Sequence, residues 1–448
     1  MAFSFLNGYA NDAPVAWHDG RAVGRHEFAA DVAALRARLP VARYLINLCD
    51  NRYAFLTAFA AALADRRITL LPPDAGDAGL LGLCRQYEAA AVVSDRSLPS
   101  LPVPVCQWRR AGGDSGKANA VPASFSSDQT AVVVHTSGST GAPQPHIKTW
   151  GALVRRARAV GARLALKESR IAAVVATVPS QHMYGIENAI MLPLQHGLAV
   201  HGERPLFPAD VAAALDKPSL LVTTPIHLRA FTAAGVGCTG VRLILSSTAP
   251  LAIEQARRAE DSLGAPVVEI YGSTETGVVA TRRTSSADEW RLLESLRLRT
   301  ECGAVLLDDG GADVVVELHD CIELLGDGRF RLGPRAQDIV KVAGKRASLA
   351  ALTESLCAIA GVEDAAFLAP HEHDEAASRL IAFVVAPRCS EAEIAAKLRA
   401  RIDPIFLPRP LVKVEALPRN ATGKLPREAL QELWETIASG WTRSSDAV

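Results

Sequence analysis

The sequence predicts an α/β protein: a large N-terminal domain of helix-covered sheets plus a β subdomain, followed by a small C-terminal α+β domain. Three observations carry this. Short Val/Ile/Leu runs alternate with Ala/Leu/Arg segments of helical period over most of the chain, as strands buried on both faces require. Between Val278 and Asp338 the pattern changes to short alternating runs with hairpin turns at Asp309-Gly310-Gly311 and Gly326-Asp327-Gly328, which reads as antiparallel β structure. At 448 residues the chain exceeds the size at which a single core stops growing, so at least two domains are expected. We place the boundary between residues 336 and 337.

In order, the first elements are a helix His26 to Leu39, a strand Tyr44 to Leu48, a helix Tyr53 to Asp65 and a strand Ile68 to Leu71. Ala111 to Ser127, rich in Gly, Ala and Ser, reads as a surface connection. The apolar run Thr130 to Val134 is a strand, and an amphipathic helix starts at Trp150. Then come strand Ile171 to Val178, helix Ile186 to Leu194, strands Leu220 to Thr224 and Val241 to Ser246, helix Ala252 to Leu263 and strand Val267 to Tyr271. The small domain reads as helix Leu349 to Ile359, strands Ala365 to Ala369 and Leu380 to Ala386, a helix opened by the capping box Ser390 with Glu393, strand Leu411 to Val414 and a last helix from Arg427. The tail after Trp441 is expected to be disordered.

Charge and cysteine content exclude several classes. Lys and Arg total 48, balanced by 48 Asp and Glu, so no net basic field attracts nucleic acid or anionic lipid. The eight cysteines form no C-x-x-C pair and no zinc-spaced cluster, as expected of reduced thiols in the cytosol. The start, Met1-Ala-Phe-Ser-Phe-Leu, lacks a basic segment, and the longest apolar window, Ala54 to Ala64, is too short to span a bilayer. A cytoplasmic protein with no membrane span is expected.

The chemistry gathers at loops that follow strands. In His135-Thr136-Ser137-Gly138-Ser139-Thr140-Gly141-Ala142-Pro143, two glycines free backbone N–H groups to face a ligand and four hydroxyls add donors, which suits phosphate oxygens. Taken alone, the stretch reads equally as a solvated Ser/Gly linker. It is neither a Walker A loop nor a nucleophile elbow. Three further strand ends carry reactive residues: Pro179 to Gly185 with His182, Ser246 to Pro250, and Tyr271 to Gly277 with Glu275.

Thr-Ser-Gly-Ser-Thr-Gly-x-Pro, His-x-x-Gly at His182, Ala-Pro at Ala249, Tyr-Gly-x-Thr-Glu at Tyr271 and Pro-Arg-x-x-x-Gly-Lys at Pro418 occur in the order of the AMP-forming adenylating superfamily, which the chain resembles from about Thr130 to Leu430. The resemblance implies an acid–thiol ligase that uses ATP and Mg²⁺, with a mobile C-terminal domain carrying a catalytic lysine. A carboxylate oxygen is a poor leaving group until transfer to the α-phosphate of ATP makes it part of AMP, after which a thiol can take the acyl group. The family pattern implies that Thr136, Ser137, Gly138, Ser139, Thr140 and Gly141 cradle the departing phosphates and that Glu275 holds the metal. Thr248, Ala249, Tyr271, Gly272, Ser273 and Thr274 would line the nucleotide, Thr274 on the α-phosphate and Tyr271 against adenine. Asp320 and Arg335 would hold the ribose, and His182 would sit where the acyl pocket meets the thiol channel. Lys341, Gly344 and Arg346 match a loop that reaches the site for thiolation, and Lys424 matches the lysine that meets charge on the α-phosphate during adenylation.

The chain also departs from the pattern. Gln144 replaces the lysine that usually follows the phosphate-loop proline, with His146 and Lys148 close behind, and Pro334 and Gln337 replace the usual glycine and aspartate near Arg335. Only 44 residues separate Glu275 from Asp320, a trimmed spacing. The short form, with Pro-x-x-Lys-Thr-Trp from Pro145, looks most like ligases of aryl polyene-type pigment pathways, which load aromatic acids onto a holo-acyl carrier protein. The rival in the same class is an aryl- or medium-chain acyl-CoA ligase with CoA as acceptor. The rival in another class, a catalytically silent nucleotide-binding or scaffold protein, is argued by Gln144 and opposed by Lys424.

Overall fold

A computed structural model describes residues 1–72, 77–111, 121–136, 144–301, 303–309, 315–333, 338–342, 344–369, 380–420 and 423–445. The chain divides into two compact units, one of residues 1–297 and 308–316, the other of 298–307 and 317–448.

The first unit holds two sheets. The first runs, in spatial order, Gln144–Thr149, Thr130–Thr136, Ile68–Leu71, Tyr44–Asn47, Ala90–Ser94 and Val105–Gln107, parallel except for the first pair. Within this unit the second sheet runs Trp290–Leu292, Gly277–Arg282, Val267–Ser273, Val241–Ser246, Ser219–Thr223, Ala173–Ala176, Ala199–His201, Ala16–His18 and Arg21–Val23. Its six central strands, Val267–Ser273 through Ala16–His18, are all parallel, and antiparallel pairs close both ends. Six strands therefore release their carboxyl ends along one edge, where ligands of open parallel sheets bind.

Two helices touch strands of both sheets. Arg52–Ala64 is buried along nearly its whole length, because its alanines allow backbones to approach closely on every side. Trp150–Arg163 is capped by Thr149, whose hydroxyl accepts from Ala152 N at 3.2 Å. The Trp150 ring is fully buried against Phe5 and Phe125, with both ring centroids at 5.7 Å, and its indole N–H donates to Phe3 O at 3.1 Å. Burying such a side chain contributes about 2–3 kcal/mol before its entropy cost.

Most expected elements are present within one or two residues, with three corrections. The phosphate stretch is followed by a strand, Gln144–Thr149, antiparallel to Thr130–Thr136, rather than directly by the helix, and residues 137–143 lie outside the described residues. The supposed linker Ala111 to Ser127 contains a strand, Ser124–Ser126, paired with Ala2–Ser4, because Phe125 needs burial. The last helix runs from Arg427 through Ser445 instead of fraying after Trp441. The short-strand stretch after Val278 supplies the antiparallel strands Gly277–Arg282 and Trp290–Leu292 to the second sheet, and a hairpin, Ile322–Gly326 with Arg329–Leu332, to the second unit.

The second unit has a core sheet of Asp364–Leu368, Ile381–Val385 and Leu411–Lys413, with helices Leu349–Cys357, Glu391–Arg399 and Arg427–Ser445. Both faces of the sheet are apolar, Ala365 and Phe367 in one cluster and Ala366 and Phe383 in the other. The Ser390–Glu393 capping box is formed. Among the described residues, no helix is long and apolar enough to cross a membrane.

Candidate active site

The Tyr271-to-Gly277 motif is the end of one strand, a tight turn and the start of the next. Tyr271 pairs with Ala280, but the register shifts between Tyr271 and Gly272, so Gly272 faces Val278 and Ser273 faces Gly277. Such an irregularity re-aims side chains at a strand end. Ser273 and Thr276 brace the turn: Ser273 N donates to Thr276 Oγ1 at 3.0 Å, and Thr276 N donates to Ser273 Oγ at 3.3 Å. Glu275 stands on this turn, half exposed. Burial alone would raise its pKa, yet hydrogen bonds from Ser273 and the backbone, with His146 and Lys148 nearby, hold the carboxyl below the usual range. It is therefore a carboxylate at neutral pH, a hard oxygen donor of the kind Mg²⁺ takes.

The strand after the phosphate stretch supplies the neighbours. Alternation puts Gln144, His146 and Lys148 on one of its faces. His146 Nε2 lies 3.4 Å from Glu275 Oε1 and 3.1 Å from Thr136 Oγ1, while Lys148 Nζ donates to Glu275 O at 2.6 Å. Burial lowers the pKa of both His146 and Lys148. Thr136, at the mouth of the phosphate stretch, thus stands close to Glu275, with the His146 imidazole within reach of both. Ser137, Gly138, Ser139, Thr140 and Gly141 lie outside the described residues, as does Arg335.

Ser247 Oγ donates to Ile270 O at 3.0 Å, which places the loop bearing Thr248 and Ala249 beside the strand Val267–Ser273 that carries Tyr271. Thr248 has φ +81, a left-handed backbone that a β-branched residue adopts only under local constraint. The Tyr271 ring packs 5.6 Å from that of buried Trp290 and is itself half buried.

His182 caps the helix that follows Ala173–Ala176, and its carbonyl accepts from Ile186 N at 2.9 Å. The glycine of His-x-x-Gly has a steric reason: a Cβ on Gly185 would lie 1.9 Å from Pro179 O. The helix then passes into a π-helical turn, Ile186–Met191, inside the helix expected from Ile186 to Leu194. Tyr184 Oη donates to Thr223 O and Leu245 O at 3.1 and 3.0 Å, tying this helix to two more strand ends.

Thr136, the Tyr271–Glu275 residues, Thr248, Ala249 and His182 therefore share the carboxyl edge of the first unit's sheets. In the second unit, Asp320 lies between strands Val315–Leu318 and Ile322–Gly326 and is half buried. Lys341 and Arg346 are paired across a hairpin with Gly344 at its turn, all three exposed. Lys424 is exposed on a loop that Arg419 anchors by two 2.7 Å bonds to Asp364 and one of 2.9 Å to Gly423 O. Lys424 N also donates to Asn420 Oδ1 at 3.0 Å, so Arg419 and Asn420 together hold the backbone from which the lysine extends.

Three buried charges went unread in the sequence. Arg52 donates to the carbonyls of Ala176, Val178, His201 and Glu203 at 2.9–3.0 Å, clamping the strand end that leads into the His182 loop. Arg156 and Glu187 contact the backbone of the Glu275 turn. A charge inside an apolar helical run, as at Glu187, is the signal that points to such residues.

Residues 41–317 match the AMP-binding enzyme family and residues 353–424 its C-terminal domain. A 4-coumarate–CoA ligase of Rhodobacter capsulatus is 31% identical over 278 residues, spanning 62% of this chain and 69% of the relative. A p-hydroxybenzoic acid–AMP ligase of Mycobacterium marinum is 26% identical over 418 residues, 80% of this chain and 58% of that one. The fold is that of the O-succinylbenzoate coenzyme A synthetase of Bacillus subtilis solved with ATP and magnesium ion, with TM-score 0.76 at 17% identity over 94% of this chain and 97% of that one. A strand-end turn that presents an ionised carboxylate beside the mouth of a hydroxyl-rich loop, within a match of this extent, leaves one conclusion: the chain belongs to the AMP-binding enzyme family, AMP-forming ligases that activate carboxylic acids with ATP.

Proposed function

We propose that this chain activates an aryl carboxylic acid to its acyl adenylate and passes the acyl group to the phosphopantetheine thiol of an acyl carrier protein, as ligases of aryl polyene-type pathways do. The carrying observation is the Glu275 turn, an ionised carboxylate 3.4 Å from His146 Nε2, the nitrogen that also meets Thr136 Oγ1. Magnesium bound at Glu275 would supply charge neutralisation for the phosphate oxygens. The chain's own residues do the rest. Thr136 to Gly141 hold the departing pyrophosphate, Thr274 holds the α-phosphate, and Tyr271, Thr248 and Ala249 seat the nucleoside. A carboxylate oxygen of the acid bonds to the α-phosphorus as the bond to the bridging oxygen breaks, and Lys424 meets the charge that builds there. The thiolate sulfur then bonds to the acyl carbon, AMP leaves, and His182 lies at the junction of acid and thiol. Asp320 and Arg335 hold the ribose. For the second step, residues 337–448 turn to present Lys341, Gly344 and Arg346.

An aryl acid is supported by the names of the relatives, which act on 4-coumarate and p-hydroxybenzoic acid. A carrier protein is supported by Arg399, Arg401 and Arg409, three exposed arginines of the second unit suited to an acidic partner surface. Cys49, Cys84, Cys106, Cys238, Cys321 and Cys389 carry free thiols, in keeping with a cytoplasmic site of action. CoA is the second reading, favoured by the relative named as a CoA ligase. Acid-dependent pyrophosphate release across a panel of aryl and aliphatic acids tests the first half: aryl acids are expected to give the fastest release, and faster release with aliphatic acids contradicts the aryl reading. Parallel thiolation with CoA and a cognate holo-carrier tests the second, and faster turnover with CoA overturns the carrier.

A further inference from the structure

We infer that Glu187, acting with Arg156 and Lys148, is a positioning residue for Glu275: three ionisable side chains from three elements grip backbone groups of the turn that presents the metal-binding carboxylate. This rests on the reading of Glu275 given above. Lys148 Nζ, from the strand Gln144–Thr149, donates to Glu275 O at 2.6 Å. Arg156 Nη2, from the helix Trp150–Arg163, donates to Thr276 O at 3.2 Å. Glu187 Oε2, from the π-helical turn Ile186–Met191, accepts from Val278 N at 3.1 Å. Two carbonyls and one N–H within four residues are thus held by groups that interact electrostatically with one another, and Asp309 pairs with Arg156 at 3.4 Å.

The fit is close. Gly277 has φ +66, and a Cβ there would lie 2.4 Å from Glu187 Oε1, so turn and carboxylate leave no room between them. The arrangement is also costly. Glu187 is 4% and Arg156 7% exposed, and burial of such groups is repaid only in part by pairing. The π-helical turn that aims Glu187 is itself an irregularity found mostly at functional sites. Two costly features coincide where one helix begins at His182 and reaches, through Glu187, the turn of Glu275. Stability does not account for them; orientation of the metal ligand does, since groups behind a ligand set its aim.

The test is the Mg²⁺ dependence of acid-dependent pyrophosphate release at fixed ATP and acid. Glu187→Ala is expected to raise the Mg²⁺ concentration for half-maximal release by roughly 10- to 100-fold, the usual effect of losing a group that orients a metal ligand. Glu187→Gln keeps an oxygen that accepts from Val278 N and is expected to raise it less. Arg156→Met is expected to raise it as well. A half-maximal Mg²⁺ within about twofold of wild type in folded Glu187→Ala overturns the inference, whatever happens to turnover. Should the alanine variant fail to fold, Glu187→Gln and Arg156→Met decide: a shift of about threefold or more in either supports the inference, and none in both overturns it. Glu275→Gln separates the two readings. If it shifts the Mg²⁺ requirement and the Glu187 and Arg156 variants do not, only the present inference falls; if it does not, the metal role of Glu275 falls and the inference with it.

Discussion

Burial pushes the Glu187 carboxyl up to about 7 against the attraction of Arg156 and Lys148, so the native chain binds a proton there that the unfolded chain has already released. Between a pKa of about 4.5 unfolded and about 7 folded, stability falls as pH rises, by up to about 3 kcal/mol. Glu187→Gln removes that slope. Its melting temperature relative to wild type is expected to rise between pH 5 and pH 8, and a constant difference across that range contradicts the burial cost. Glu275 behaves oppositely, being held ionised, and Glu275→Gln is expected to slow pyrophosphate release by roughly 10²–10³-fold. Release within a few-fold of wild type contradicts that role. Glu275 was legible because it closes a five-residue motif. Glu187 was only half legible: its place inside an apolar helical run marks it as buried, but the backbone it contacts lies 91 positions away.

The elements that aim these residues depend on close backbone approach. Gly185→Ala would drive a Cβ into Pro179 O, displacing the His182 helix by a distance on the order of an ångström, a misplacement that can lower turnover about 10²-fold. Pyrophosphate release measured on folded Gly185→Ala checks this, and near-wild-type release means the loop yields without consequence. Buried apolar strands and amphipathic helices were readable from period alone, as at Val241–Ser246 and Trp150–Arg163. The strand Gln144–Thr149 was not, because a polar, proline-containing edge strand shows no apolar alternation. The π-helical turn was equally hidden, since it inserts into the helical pattern without changing residue types. Arg52 escaped for a related reason: its four acceptors are carbonyls, which leave no mark in side-chain sequence.

Across the whole molecule, the proposed chemistry is divided between two units, with the phosphate and metal groups in the first and Lys424, Lys341 and Arg346 in the second. The order of motifs leads to a boundary at residue 336, whereas the acid and the acceptor depend on scattered pocket and surface residues. The proposed turning of residues 337–448 predicts that Gln337→Pro slows one half-reaction far more than the other, and equal loss in both contradicts a hinge there. The most direct test of the account is the split in Lys424→Ala. Acid-dependent pyrophosphate release is expected to fall by about 10²–10³-fold, the effect of losing one group that stabilises developing phosphate charge, while thiol transfer from chemically supplied acyl adenylate changes by no more than a few-fold. Pyrophosphate release that survives within a few-fold, or equal loss in both half-reactions, would contradict it.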